Sequence, residues 1–297
     1  MAISNRSQFA AALIFLIPLL LSTSAGDGSA GALGGPTILI EEKTATWCAP
    51  CAEFDPLLAA FIADAGGRAV LASHHPFDGE DTLGSPASAH RLSRLGASSS
   101  TVTPTLWFDG NDGVTGPLTR NDLMRHVSSA EGARSSSSRI TILSAATTLE
   151  TTGVTVTLDS TAGGLNETTL TVMLVETDVV RPPGSVEGEP LGVVTRAVIE
   201  IDVVAGSSTV ELPSGSWAFG GEVTSGLDLS TSLDPSWKHD SLGWVVVHER
   251  IVDGKVVEVL GAHASLPEAV EDEHLNSRWM VAACILLMAI GARIWLR

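Results

Sequence analysis

Hydrophobic and polar positions change rhythm several times along the chain. Residues 10–21 form an apolar run behind Arg6, and Thr23, Ser24 and Ala25 follow it. A short positive segment, an apolar core and small residues are the order of a secretory signal, so 1–25 is expected to be a signal peptide cleaved after Ala25. Residues 26–35 are rich in Gly, Ala and Ser and read as a flexible leader. At the far end, 279–296 is apolar except for Arg293, with Trp279 and Trp295 near its ends. As a helix that run spans about 27 Å, enough for a bilayer core. The acidic segment before it and Arg293 and Arg297 near its end predict a single-pass cell-membrane protein, with its globular part outside and its C-terminus in the cytoplasm.

Between these ends, residues 36–130 alternate short apolar runs with helical patterns. The expected order is strand 36–42, helix 50–65, strand 68–74, helix 85–96, strands 104–109 and 113–116, and helix 118–129. Residues 131–138 are a Ser-rich linker. Residues 139–265 are dominated by Thr, Val, Ile and Gly in alternating runs broken by turn signals, the pattern of an all-β sandwich. Strands are expected at 139–149, 153–159, 168–176, 194–204, 208–212, 216–223, 244–251 and 255–261. Val252-Asp253-Gly254 marks a hairpin between the last two. Trp217, Trp237 and Trp244 read as sandwich core or edge. Residues 266–278 form an acidic juxtamembrane segment.

Composition narrows the function. The chain has 297 residues, 17 basic and 34 acidic, a formal net charge of −17 and 3 Cys. Its basic residues are too sparse for a phosphate-binding patch, which excludes a nucleic-acid partner. Three cysteines cannot build a disulfide-dense scaffold or a four-Cys zinc site. Asn166-Glu167-Thr168 is a possible glycosylation sequon in a turn between strands.

The informative stretch is Trp47-Cys48-Ala49-Pro50-Cys51. Phe54, Leu57, Leu58, Phe61 and Ile62 follow it at helical spacing. Cys48 is therefore expected at a helix N-terminus and Cys51 one turn inside. The N–H groups and dipole there stabilise a thiolate, bringing a thiol from about 8.5 toward 7 or below. The two-residue spacer lets Cys51 attack a mixed disulfide on Cys48. The same spacing is also half of a zinc site. His74, His75 and His90 are the conceivable further ligands, and none has matching local spacing. The stretch His74–Asp81 reads as a solvated loop ahead of a metal or substrate loop.

These residues resemble the thioredoxin superfamily. Trp47-Cys48-Ala49-Pro50-Cys51 matches its signature, Pro56 its helix-kinking proline, and Thr103-Pro104 its cis-proline loop. The resemblance covers about 95 residues. It is closest to extracytoplasmic members, and over more of the chain to outer-membrane-type proteins with a thioredoxin-like domain followed by an immunoglobulin-like β domain. It implies a redox-active Cys48–Cys51 disulfide, with Cys48 attacking and Cys51 resolving. Trp47, Thr103 and Pro104 would contact substrate, and Glu42 would be a buried acid that shuttles protons. No metal and no dissociable cofactor are implied.

The expected fold class is an α/β thioredoxin-like domain, then an immunoglobulin-like sandwich, then a transmembrane helix. The expected function is a membrane-anchored thiol–disulfide oxidoreductase acting on protein thiols and disulfides, with a membrane electron donor or acceptor as a further partner. The rival is a redox-inert surface binding or assembly protein that uses the first domain as a docking platform.

Overall fold

The computed structural model describes residues 37–134, 137–144, 147–160 and 164–267; for Ser160 only the backbone is considered. The first strands are β1 (Ile38–Lys43) and β2 (Ala69–His74), joined by helix α1 (Ala49–Asp64). Helix α2 (Pro86–Arg94), strands β3 (Thr105–Phe108) and β4 (Val114–Thr115) and helix α3 (Arg120–Ala133) follow. Local chemistry starts each helix. Cys48 caps α1, with Pro50 in its first turn. The Ser85 side chain caps α2. Thr119 and Asp122 form a reciprocal capping box on α3.

The remaining strands are β5 (Ser138–Ser144), β6 (Thr151–Ser160), β7 (Thr169–Val179), β8 (Leu191–Asp202), β9 (Ser207–Leu212), β10 (Trp217–Glu222), β11 (Gly226–Ser232), β12 (Leu242–Val252) and β13 (Lys255–Ser265). Three sheets result: sheet I in the order β2-β1-β3-β4, sheet II in the order β13-β12-β7-β8-β9, and sheet III in the order β10-β11-β6-β5. In sheet I, β1 pairs parallel with β2 and antiparallel with β3.

Sheet II is buried on both faces. Successive side chains on a strand point to opposite sides. Leu170, Val172 and Leu174 of β7 and Trp244 and Val246 of β12 join the core shared with sheet III. Met173, Val175, Val245 and Val247 join the core shared with sheet I and its helices. The strands therefore read as nearly continuous apolar runs.

The expected fold class is corrected by this arrangement. Among the described residues there are thirteen strands and three short α-helices, and the chain is mainly β. A discrete α/β domain followed by a separate two-sheet sandwich is not what forms. The face of sheet I that carries α2 is closed by sheet II, which also serves sheet III. The reason lies in buried charge. Arg91 of α2 is fully buried and donates to Glu41 of β1 at 2.6 and 2.9 Å. It also donates to Glu249 of β12 at 2.5 and 2.8 Å. Glu249 additionally accepts from Thr171 of β7. Beside this cluster, Glu200 of β8 pairs with His90 Nε2 at 2.7 Å and accepts from Arg94 at 3.0 and 2.7 Å.

The membrane assignment is also corrected. No helix among the described residues is long and apolar enough to cross a membrane, so the single-pass cell-membrane placement is withdrawn. The expected signal 1–25, leader 26–35 and span 279–296 lie outside the described residues, as do Cys284 and most of 266–278. Strand β11 was not among the expected strands; its Gly, Asp and Ser content reads as turn.

The ion cluster generates a stability prediction. Burial pushes Glu41 up, but Arg91 and His74 outweigh it and bring it down to about 2. Arg91→Ala leaves two buried carboxylates without their cation and is expected to cost about 3–5 kcal/mol in denaturant unfolding at neutral pH. In the native protein, Glu41 contributes stability that is present above the ordinary carboxylate range and lost as pH falls through about 2. A pH series of unfolding midpoints checks both.

Candidate active site

The site is built where β1 ends and α1 begins. Beyond Lys43 the chain turns through Thr44, Ala45 and Thr46, and backbone hydrogen bonds fix the turn. Thr44 N donates to His74 O at 3.2 Å, and Cys48 N donates to Ala45 O at 3.1 Å. Thr46 N donates to the Asp81 carboxylate at 2.8 Å, and Thr46 O accepts from Val186 N at 2.9 Å. This places Cys48 at the N-cap of α1. Cys48 and Cys51 are joined in a disulfide with a Cα–Cα distance of 5.3 Å. Cys51 N donates to Cys48 Sγ at 3.2 Å, so the helix terminus already directs a donor at the sulfur that would carry charge when the bond opens.

The disulfide is covered on one side and open on the other. Cys51 is fully buried and Cys48 nearly so, while Trp47 is 44% exposed. A cleft of about 500 Å³ opens over Cys48, lined also by Lys43, Trp47, Pro50, Val102 and Thr103. Lys43 Nζ donates to the Ser98 and Thr101 carbonyls and so ties the far wall of the cleft to β1. A second groove of about 330 Å³ runs past Ala49 and Pro50 to Phe54, Leu57 and Leu118. Phe77, Val102 and Leu57 add exposed apolar surface around the opening.

Trp47, Cys48 and Thr103 therefore meet at one cleft. The Thr103–Pro104 bond is cis, but Pro104 is buried behind Thr103 and does not line the cleft. Glu42 does not line it either. Strand alternation sends Glu41 to the Arg91 side of sheet I and Glu42 to the α1 side. Glu42 is 1% exposed, accepts from Ser73 Oγ at 3.0 Å through Oε2, and has no hydrogen-bond partner on Oε1. Burial and then the charge of Asp55 push its carboxyl well above the usual range, with Ser73 and Arg181 opposing. Asn166 is exposed in the turn before β7 and stands apart from the site.

The His74–Asp81 stretch is exposed over 77–80, as expected of a solvated loop, but its ends are not. His74 pairs with Glu41 at 2.9 Å and His75 with Asp81 at 2.8 Å, all four within the buried interior. Among the described residues, no group of three or more His, Cys, Asp and Glu is arranged to hold a metal. His90 pairs with Glu200 instead.

Several residues around the site escaped the sequence. Asp55 carried a signal, a charge on the apolar face of α1 between Phe54 and Leu58. Its partner Arg181, at 2.8 Å, lies 126 residues away and carried none. The segment between β7 and β8 that holds Arg181 packs closely on α1. A Cβ on Gly188 would meet Ala52 Cβ at 3.3 Å and Arg181 Nε at 3.0 Å.

No protein-family model and no curated protein matches the chain. Solved structures do. HBP35 of Porphyromonas gingivalis is similar at a TM-score of 0.59 and 12% identity, over 80% of this chain and 78% of that one. A protein of Agrobacterium tumefaciens is similar at a TM-score of 0.49 and 17% identity, over 79% and 96%. MTB dsbF, solved in its mixed oxidized and reduced forms, is similar at a TM-score of 0.26 and 16% identity, over 32% of this chain and 81% of that one. The first of these shows a shared fold across most of both chains.

Asp81 is the tie between the loop ahead of the disulfide and β2. Asp81→Ala removes the acceptor of a buried N–H and of His75 together, and is expected to cost about 2–3 kcal/mol by urea unfolding, with the disulfide intact.

Proposed function

We propose that this chain is a thiol–disulfide oxidoreductase. The observation that carries the reading is the Cys48–Cys51 disulfide at the N-cap of α1, opening into a cleft that Trp47 and Thr103 share. The quoted likeness of Trp47–Cys51, Pro56 and Thr103-Pro104 to the thioredoxin superfamily supports the same chemistry.

The exchange runs through two displacements. A client thiolate attacks Cys48 Sγ, forms a mixed disulfide and expels Cys51 as a thiolate, which takes a proton. A second client thiolate attacks the client sulfur of the mixed disulfide and expels Cys48 as a thiolate facing the helix N-terminus. Two electrons pass from the client dithiol to the protein, and the client leaves as a disulfide. In reverse, the Cys48 thiolate attacks a client disulfide, and Cys51 gives up its proton and resolves the intermediate. The direction follows the relative reduction potentials of protein and client. Glu42, kept buried on the α1 face, is the proposed acid and base for the Cys51 proton. The partners are protein thiols and disulfides, which the apolar grooves beside Pro50 suit. The electrons come from the clients, so no dissociable cofactor is required.

Dithiol-dependent reduction of insulin tests the reading. The wild type is expected to accelerate it and Cys48→Ser to abolish the acceleration, while Cys51→Ser accumulates a mixed disulfide with its client. Equal, negligible activity of wild type and Cys48→Ser overturns the reading in favour of a docking protein. Glu42→Gln is expected to slow resolution of the mixed disulfide about 10²-fold at neutral pH, measured by stopped-flow quench.

A further inference from the structure

A second carboxyl lies beneath the disulfide. Asp55 follows Cys51 by one helical turn on α1, and the i, i+4 spacing sets both on the same buried face. Asp55 and Glu42 line a cavity of about 10 Å³ together with Thr44 and Ser73, closed by apolar Leu191 and Val193 of β8. The volume is near the lower limit for a single water. Two carboxylates this close, away from bulk water, cannot both ionise freely, and sharing one proton relieves the repulsion. It also gives Glu42 Oε1, otherwise without a partner, a hydrogen bond to make.

The cation that completes the group comes from the segment joining two strands of sheet II. Arg181 stands in the β7–β8 connection, is almost fully buried, and donates to Asp55 Oδ2 at 2.8 Å. Its Nε donates to Glu189 O at 2.9 Å, which fixes its approach. Thr44 Oγ1 donates to the other oxygen of Asp55 at 3.4 Å. The ionisable groups facing the pair are thus Arg181 from the β7–β8 connection and His75 from the end of β2, with Ser73 as the neutral donor from β2 itself. Burial pushes Asp55 up, and Arg181 opposes it.

We propose that Glu42 and Asp55 hold one proton between them beneath the disulfide, and that Arg181 keeps the charge on Asp55 so that the proton stands on Glu42. The inference rests on the oxidoreductase reading for its use but not for its detection. When a client thiolate opens the disulfide, Cys51 leaves as a thiolate and takes this proton. When the disulfide closes again, the Cys51 thiol returns it to Glu42. One proton moves each way, and Arg181 offsets the charge left on the pair. Arg181 and Asp55 are positioning residues, and through Arg181 the second half of the chain tunes the exchange site.

Carboxyl ¹³C NMR titration of the full-length oxidised protein, paired with the pH profile of insulin reduction, tests this. Glu42 is expected to titrate above free carboxylates in the wild type. Asp55→Asn removes a repelling charge and moves that midpoint down by about one pH unit or more, whereas Arg181→Met moves it up by a similar amount. Arg181→Lys keeps the cation and returns the midpoint toward the wild-type value, which a merely structural role of Arg181 does not explain. The pH limb of insulin reduction moves with the midpoints. Midpoints that stay at the wild-type value in properly folded Asp55→Asn and Arg181→Met proteins, or an unshifted Glu42 in the wild type, overturn the proposal. Shifted midpoints in a protein that does not reduce insulin sustain the shared proton and sink the oxidoreductase reading instead.

Discussion

One guanidinium sets the architecture. Arg91 has no contact with water and sits between Glu41 of β1 and Glu249 of β12, the two sheets that meet across α2. Removing a cation from water is expensive, and the cost is offset only where carboxylates surround it with good geometry. Arg91 donates four such hydrogen bonds, one to each oxygen of Glu41 and Glu249, and His74 and Thr171 share the Oε1 atoms of Glu41 and Glu249. Each member is satisfied only when sheet I, α2 and sheet II are all in place. The apolar face of sheet II then has no freedom to rotate or slip, because a one-residue slip of β12 would bring His248 or Arg250 to the place of Glu249.

The same alternation gives two neighbouring glutamates opposite fates. Glu41 and Glu42 are adjacent and both buried, yet they face different partners. Burial alone would raise both. Arg91 and His74 overturn it for Glu41 and hold that carboxylate ionised, whereas the charge of Asp55 adds to burial at Glu42. One side chain is thereby fixed in a structural ion pair and its neighbour is left able to change protonation. The pleat of one six-residue strand thus sets two neighbouring carboxyls in opposite electrostatic surroundings.

Much of the site was legible in the sequence because its determinants are local. Cys48, Pro50 and Cys51 define a helix start by themselves, and the apolar spacing after them orients α1. The burial of Glu42 was expected from the thioredoxin resemblance, which sets a buried acid six residues before Cys48, and Glu42 is buried. What was not legible depends on distant partners. Asp55 acquires its role from Arg181, and the buried state of His74 and His75 depends on Glu41 and Asp81. The element order was also largely legible, with α1 expected at 50–65 and found at Ala49–Asp64. The fold class was not, because a sandwich buries one face of each of its sheets, whereas β7 and β12 are buried on both. Their runs Leu170–Val175 and Trp244–Val247 lack polar alternation, which is the mark of burial on both sides.

The change in sequence character at 131–138 therefore does not coincide with a change in packing. Phe54, Leu58, Leu106 and Leu123 share one core with Met173, Val198, Val245 and Val259. Ion pairs cross the same line at Arg91–Glu249, Arg94–Glu200 and Arg181–Asp55. Such contacts couple the two parts energetically, since a shift in either exposes charges that only the other can pair. In the proposed exchange, a motif whose covalent chemistry is contained in four residues has its proton chemistry set from a connection well over a hundred residues later. The β-rich part of the chain acts as more than a spacer: its residues form part of the wall and part of the charge beneath the disulfide.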